Sequence, residues 1–356
     1  MIFRTTVYLM FFLSGLSALV YQVLWVRSFS LIFGGSHLAV TTVLSIFMGG
    51  LALGGYLGRR TDRSPRPLKI YGLLEIGIGA AALLLLGLLQ VYPDLYIAFA
   101  HLAGNQLPVL TLGRILFALL ALLLPTTLMG LTLPALAAFA SRQGGDFGRH
   151  LARLYGINTL GAVCGALAAG FLLLRHLTMS TTYGIAIVIS LAVGVASLLI
   201  EREKATSTNP VNKETENDMI DEPPATPPDS SPVPERLILI GIGVSGFCAL
   251  GYEVLWTRVL SLVVGTTVYG YTLMLVAFLI GIALGGSSYR LLPRFLGTSQ
   301  PRHAILCFGL IQVVIGLLAL LVTYALLLVA FLLVVAQEKR FFRRASVKTE
   351  TQENAA

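Results

Sequence analysis

Nine apolar runs, each about as long as a bilayer is thick, decide what this chain can fold into. They cover roughly residues 6–27, 37–58, 68–91, 109–140, 151–175, 180–200, 237–257, 267–289 and 304–336. About 20 such residues take a helix across the hydrocarbon core. In lipid there is no water to satisfy backbone N–H and C=O groups, so an isolated run of this kind crosses as a helix. The composition agrees: 56% of residues are hydrophobic and 12% charged, with a mean hydropathy of +0.83. Soluble domains carry about 25% charged residues. The expectation is an all-α, polytopic helical membrane protein with the lipid bilayer as its main partner.

The first run is written twice. Ser14-Gly-Leu-Ser-Ala-Leu-Val-Tyr-Gln-Val-Leu-Trp-Val-Arg-Ser-Phe-Ser-Leu-Ile-Phe-Gly34 returns as Ser245-Gly-Phe-Cys-Ala-Leu-Gly-Tyr-Glu-Val-Leu-Trp-Thr-Arg-Val-Leu-Ser-Leu-Val-Val-Gly265, with 12 of 21 positions identical. The same offset pairs Phe47-Met-Gly-Gly-Leu-Ala-Leu-Gly-Gly55 with Phe278-Leu-Ile-Gly-Ile-Ala-Leu-Gly-Gly286. The chain's two tryptophans, Trp25 and Trp256, are partners in this alignment. The chain is an internal duplication. Six spans precede the second copy, an even number, so both copies enter the membrane in the same direction. That is a parallel repeat. The second half is incomplete, with three spans against six.

Charge sorts the loops. The densest basic stretch, Arg59 to Lys69, lies between the second and third runs. Positive loops stay on the cytoplasmic side, which places the N-terminus there, in an inner (plasma) membrane. Arg142, Arg149 and Arg153 then also fall inside, and residues 92–107 fall outside with only Asp94. The net charge of +8 is this loop pattern, and no nucleic-acid footprint is read from it. Residues 201–236 hold nine of the 17 acids and seven of the 15 prolines; such a composition marks a disordered cytoplasmic linker. The organisation expected is a first membrane half over 1–200, this linker over 201–236, a partial second half over 237–336 and a basic, disordered tail over 337–356. The tail conflicts with an odd number of crossings, unless the run 304–336 doubles back or the short half orients poorly.

Within the runs, Pro125 and Pro134 each remove a backbone hydrogen bond, so a kink is expected in the fourth. Gly161 and Gly165, like Ala166 and Gly170, are four apart, a spacing that admits a close helix neighbour. Cys164, Cys248 and Cys307 form no ligand spacing and read as buried core thiols. His37, His101, His150, His176 and His303 lie at run ends or loops without metal spacing. No nucleophile–base set and no nucleotide loop stand out, so no enzyme, no metal and no cofactor are expected.

The loop Gly58-Arg-Arg-Thr-Asp62-Arg63-Ser-Pro-Arg66 resembles the major facilitator signature Gly-x-x-x-Asp-Arg-x-Gly-Arg-[Arg/Lys], with Gly58, Asp62, Arg63 and Arg66 matching. The resemblance implies a gating loop whose charges hold one face closed; an incidental positive-inside anchor is the alternative. The first half is also similar to the membrane region of a family in which a facilitator-like portion is fused to a spermidine-synthase-like domain. The similarity rests on Ser14-Gly-x-x-Ala-Leu-x-Tyr-Gln-x-x-Trp-x-Arg27, Phe47 to Gly54, Pro67-Leu-x-x-Tyr-x-x-x-Glu-x-x-Ile-Gly79, Leu124 to Pro134 and Tyr155 to Gly165. No aminopropyltransferase portion is present in this sequence. The resemblance implies a major-facilitator-like module that transports a small, cationic solute. The alternatives are a non-transporting scaffold that docks a separately encoded synthase-like partner or a second copy, and a truncated remnant.

Two acids lie inside the apolar runs, Glu75 and Glu253. An intramembrane carboxylate costs about 3 kcal/mol on insertion scales and is by default a functional candidate. Each faces an amide in the repeat: Glu253 aligns with Gln22, and Glu75 with Gln312. Tyr21 and Tyr252 sit beside the first pair, and the parallel repeat predicts that Tyr21-Gln22 and Tyr252-Glu253 approach a central axis. Asn158, Arg114 and Gln312 are weaker candidates for handling a substrate or ion. Trp25, Arg27, Trp256 and Arg258, near run ends, read as interface anchors.

Overall fold

The computed structural model describes residues 2–59, 64–104, 106–142, 147–207, 235–264, 267–288 and 301–353, and no strand occurs among them. Nine helices among the described residues are long and apolar enough to cross a membrane. They are α1 (Ile2–Phe33), α2 (Ser36–Leu57), α3 (Pro67–Leu102), α4 (Leu107–Ser141), α5 (Phe147–Leu167, prolonged through a π-helical stretch Ala168–Leu173 and Leu174–His176), α6 (Met179–Ser207), α7 (Glu235–Val264), α8 (Thr267–Ser288) and α9 (Pro301–Glu353). Each expected run forms one of them. Several extend beyond the apolar core, because a helix satisfies its own backbone in water as in lipid. Residues 92–102, expected in an outer loop, continue α3.

The chain divides into two compact units, Met1–Ser230 with Leu275–Leu291, and Ser231–Met274 with Leu292–Ala356. In the first unit α1 is the central helix, packed against α2, α5 and α6, while α3 packs on α4 and α6 and α2 on α4. Its Val20, Tyr21, Leu24, Trp25 and Phe29 are fully buried. Exposed leucines such as Leu83, Leu84, Leu112 and Leu120 cover the outside of this unit, as lipid-facing residues do.

Glycines set the closest approaches. A Cβ at Gly161 or Gly165 would overlap the Phe12 or Leu16 carbonyl of α1, and one at Gly15 would overlap the Asn158 carbonyl of α5. The small-residue face read from the sequence is therefore the α1–α5 seam. On the other side of the unit, Gly50 abuts Thr126 and Gly54 abuts Thr127 and Gly130, which joins α2 to α4. Backbones brought this close gain van der Waals contact, the main attraction between helices in lipid.

α4 runs unbroken from Leu107 to Ser141 with both prolines inside. Beside Pro125, the Thr126 hydroxyl donates to the Leu122 carbonyl and the Thr127 hydroxyl to that of Leu123, both at 2.7 Å. Serine and threonine hydroxyls commonly supply such bonds where a proline interrupts the ladder.

In the second unit α7 packs along α9. Trp256 Nε1 donates to Thr323 Oγ1 at 3.0 Å, and Gln312 Nε2 to Ser245 Oγ at 2.8 Å. α9 is one continuous helix of 53 residues, so the run 304–336 does not double back. It continues through the basic segment that was expected to be a disordered tail; helix nucleation by the long apolar run makes each added turn cheap. Of the expected linker, 201–207 extends α6 and Glu235 begins α7, and 208–234 lie outside the described residues.

The cysteines correct the sequence reading: Cys164 and Cys248 are exposed and Cys307 is partly so. In a bilayer both the inner and outer faces of a helix are apolar, so an apolar run says nothing about burial.

Candidate functional site

Four elements of the first unit bring polar groups to one enclosed place. Ser14 and Ser17 come from α1, Glu75 from α3, Thr132 from α4 and Asn158 from α5, around a cavity of about 100 Å³. Liquid water takes about 30 Å³ per molecule, so a few waters or one small cation fit. Glu75 is 1% exposed. Ser14 Oγ donates to its Oε1, while Oε2 is enclosed and accepts no hydrogen bond from the described residues. Tyr71, one turn earlier on α3, interacts with the carboxylate, but its hydroxyl is turned to the Met10 carbonyl at 3.4 Å. Ser17 Oγ donates to the Ser14 carbonyl at 3.0 Å and accepts from Ser190 Oγ at 3.2 Å.

The chemistry is that of a buried acid with one oxygen held by the Ser14 hydroxyl and the other left open beside a small cavity with polar groups in its wall. Such an oxygen can take a proton or form part of the shell of a small cation. Thus two sequence candidates, Glu75 and Asn158, are brought together. Ser14, Ser17 and Thr132 join them without having been singled out. The sequence did hold a signal for Ser14: it is one of the positions that repeats, as Ser245.

Tyr21 is turned into the first unit and is fully buried. Its hydroxyl donates to Ser190 Oγ of α6 at 3.4 Å, its ring lies 6.5 Å from that of Tyr183, and it stacks on Trp25 at 5.7 Å. It is bound into the interior of its own unit, as a buried Tyr that has found a hydroxyl partner is. Gln22, the next residue, is 1% exposed, and its Nε2 has no partner among the described residues. In the second unit Tyr252 stacks on Trp256 at 5.5 Å, repeating the Tyr21–Trp25 pair. Glu253 is also 1% exposed, and neither carboxylate oxygen has a hydrogen-bond partner among the described residues. Gln312 donates to Ser245 Oγ.

Trp25 is corrected as an interface anchor. Its ring is fully buried and tilted against Phe47 at 6.3 Å; a belt tryptophan keeps its polar edge at the headgroups. Trp256 is half-buried, and its N–H is used within the protein by Thr323. Arg27 and Arg258 are exposed.

Of the gating-loop residues, Asp62 and Arg63 lie outside the described residues. Gly58 caps α2 and leaves no room for a side chain against the Pro134 ring. Arg66 precedes α3, its N–H directed to Ser64 Oγ at 3.4 Å. The strap on this loop is a residue the sequence offered only as a topology marker: Arg142, at the end of α4, donates to the Pro65 carbonyl at 2.8 Å and to that of Ser64.

The chain matches the Major Facilitator Superfamily over residues 7–336. No curated protein and no solved structure matches the chain. The match spans both copies of the repeat, so this transporter-like, multi-pass membrane protein belongs to the Major Facilitator Superfamily.

Proposed function

We propose that the chain moves a small solute across an inner (plasma) membrane, with the N-terminus in the cytoplasm, and that Glu75 handles the proton or small cation involved. The observation that carries this reading is the open Oε2 of a buried carboxylate beside a polar cavity. A purely structural acid would have its hydrogen-bond capacity filled, since an unsatisfied buried acceptor costs about 1–3 kcal/mol. Glu253, equally buried, is the second intramembrane acid, at the repeat position of Gln22, and neither of its carboxylate oxygens finds a hydrogen-bond partner among the described residues. A cationic solute suits two intramembrane acids better than an anionic one.

Infrared difference spectroscopy of the reconstituted protein tests this without knowledge of the substrate. Changing pH or sodium concentration should perturb a carboxyl band, and Glu75→Gln should remove that band while the protein stays folded. A spectrum that does not respond, or a response that persists in both Glu75→Gln and Glu253→Gln, would overturn it.

A second reading, a docking module for a separately encoded synthase-like protein, has one observation in its favour. Gly246, Gly281 and Gly285 repeat the packing glycines Gly15, Gly50 and Gly54, yet nothing described lies within 4 Å of a Cβ at any of them. In the first unit the corresponding glycines are covered by α5 and α4. Helices from another polypeptide would fit there.

A further inference from the structure

We propose that the first unit holds a binding site for an anionic amphiphile, an acidic headgroup carrying an apolar tail, built around Arg114. The site is a cavity of about 630 Å³ between α1, α3, α4 and α6, within the range of about 300–1,000 Å³ typical of ligand pockets. It lies at the end where α1 and α3 finish and α4 and α6 begin, opposite the Arg142 strap. Among the described residues its lining contains one cation, Arg114, and no acid.

Arg114 is half-buried and aimed by its neighbours. Nη1 donates to the Phe33 carbonyl at 3.4 Å, Nη2 donates to the Tyr96 hydroxyl, and the guanidinium lies 4.8 Å from the Tyr96 ring centre. The carbonyl contact caps the C-terminal end of α1, a favourable place for a cation. That cap accounts for one N–H, and among the described residues no acid lines the cavity to balance the charge. Nε is enclosed and has no hydrogen-bond partner among the described residues. A guanidinium has more donors than these contacts use, and its fork matches phosphate and carboxylate oxygens. Tyr92 and Tyr96 add hydroxyls next to it.

The remaining wall chooses between a free anion and an amphiphile. Leu31 and Ile97, 79% and 55% exposed, open the cavity to the apolar outside of the helices, and Leu86, Leu89 and Met179 continue that surface inward. Arg114 stands seven residues after Leu107, about 10 Å along α4 from its start at 1.5 Å per residue. A headgroup at that depth leaves its tail against the leucines.

Native mass spectrometry of the purified full chain, titrated with dioctanoyl phosphatidylglycerol, tests the site. One lipid should be retained in preference to dioctanoyl phosphatidylcholine, and millimolar inorganic phosphate should not displace it. Arg114→Gln should weaken retention by about tenfold or more, the factor expected for losing a modest charged contact. Arg27→Gln, an exposed cation outside the cavity, should not weaken it. If Arg114→Gln fails to fold, Leu31→Trp, which fills the mouth and leaves the arginine, should produce the loss instead. Equal retention of the zwitterionic lipid, native-like retention in the cavity variants, or an equal loss with Arg27→Gln would overturn the site. Displacement by phosphate alone would make the ligand a free anion and overturn the amphiphile.

Discussion

Gln312 donates to Ser245 at 2.8 Å in the second unit, and its counterpart in the first is Ser14 donating to Glu75. The duplication thus preserves a tertiary contact, a serine on the opening helix bridged to a long polar side chain on the third. The charge of the second partner has changed and, with it, the direction of the bond: the serine accepts from the amide and donates to the carboxylate. In membrane proteins such interhelical bonds are worth about 0.6 kcal/mol on average and up to about 1.7. Gln312→Leu and Ser245→Ala should each destabilise by about 1 kcal/mol. The double variant should cost little more than either one, as read from thermal unfolding in detergent. Additive losses would mean the two side chains do not act together.

The second half also shows that an amide can make this bridge. Glu75→Gln should therefore leave unfolding within about 1 kcal/mol of the native protein. Ser14→Ala should cost about 1–3 kcal/mol, because it removes a hydroxyl that donates to the buried carboxylate. In the Glu75→Gln background the same serine change should cost less. A Ser14→Ala effect of equal size in both backgrounds would show that the serine serves its own helix and not the acid.

The α1–α5 seam gives a steric prediction. Gly165→Val places a side chain on the Leu16 carbonyl, a backbone atom that cannot step aside. Overpacking of this sort costs about 1–3 kcal/mol or more. Gly156→Val, on the same helix, meets nothing within 4 Å and should be tolerated in expression and unfolding assays. Equal behaviour of the two would mean that the seam is not tightly packed.

Labelling of single cysteines checks the direction of the first unit. A cysteine at Ser64 should react only from the cytoplasmic side, and one at Gln106 only from outside. Arg142→Ala should make the Ser64 position react faster, because the strap on the loop is gone. Reaction of Ser64 from outside would reverse the orientation drawn from the basic loops.

Helix count, approximate boundaries and the duplication are all properties of the string itself. Apolar length is a local quantity, and lipid leaves the backbone one way to satisfy itself, so the sequence was enough for these. It also singled out Glu75, since a carboxylate in an apolar run is conspicuous wherever it points. What it could not carry was direction around the helix. Trp25 and Trp256 occupy equivalent positions, yet one is enclosed and the other half-open. Cys164 lies in a run as apolar as that of Tyr21, yet it is exposed while Tyr21 is fully buried. The reason is physical: with hydrocarbon outside and side chains inside, the two faces of a membrane helix carry nearly the same residues. Only packing, through contacts such as Gly165 on Leu16 and Ser14 on Glu75, decided which face became the interior.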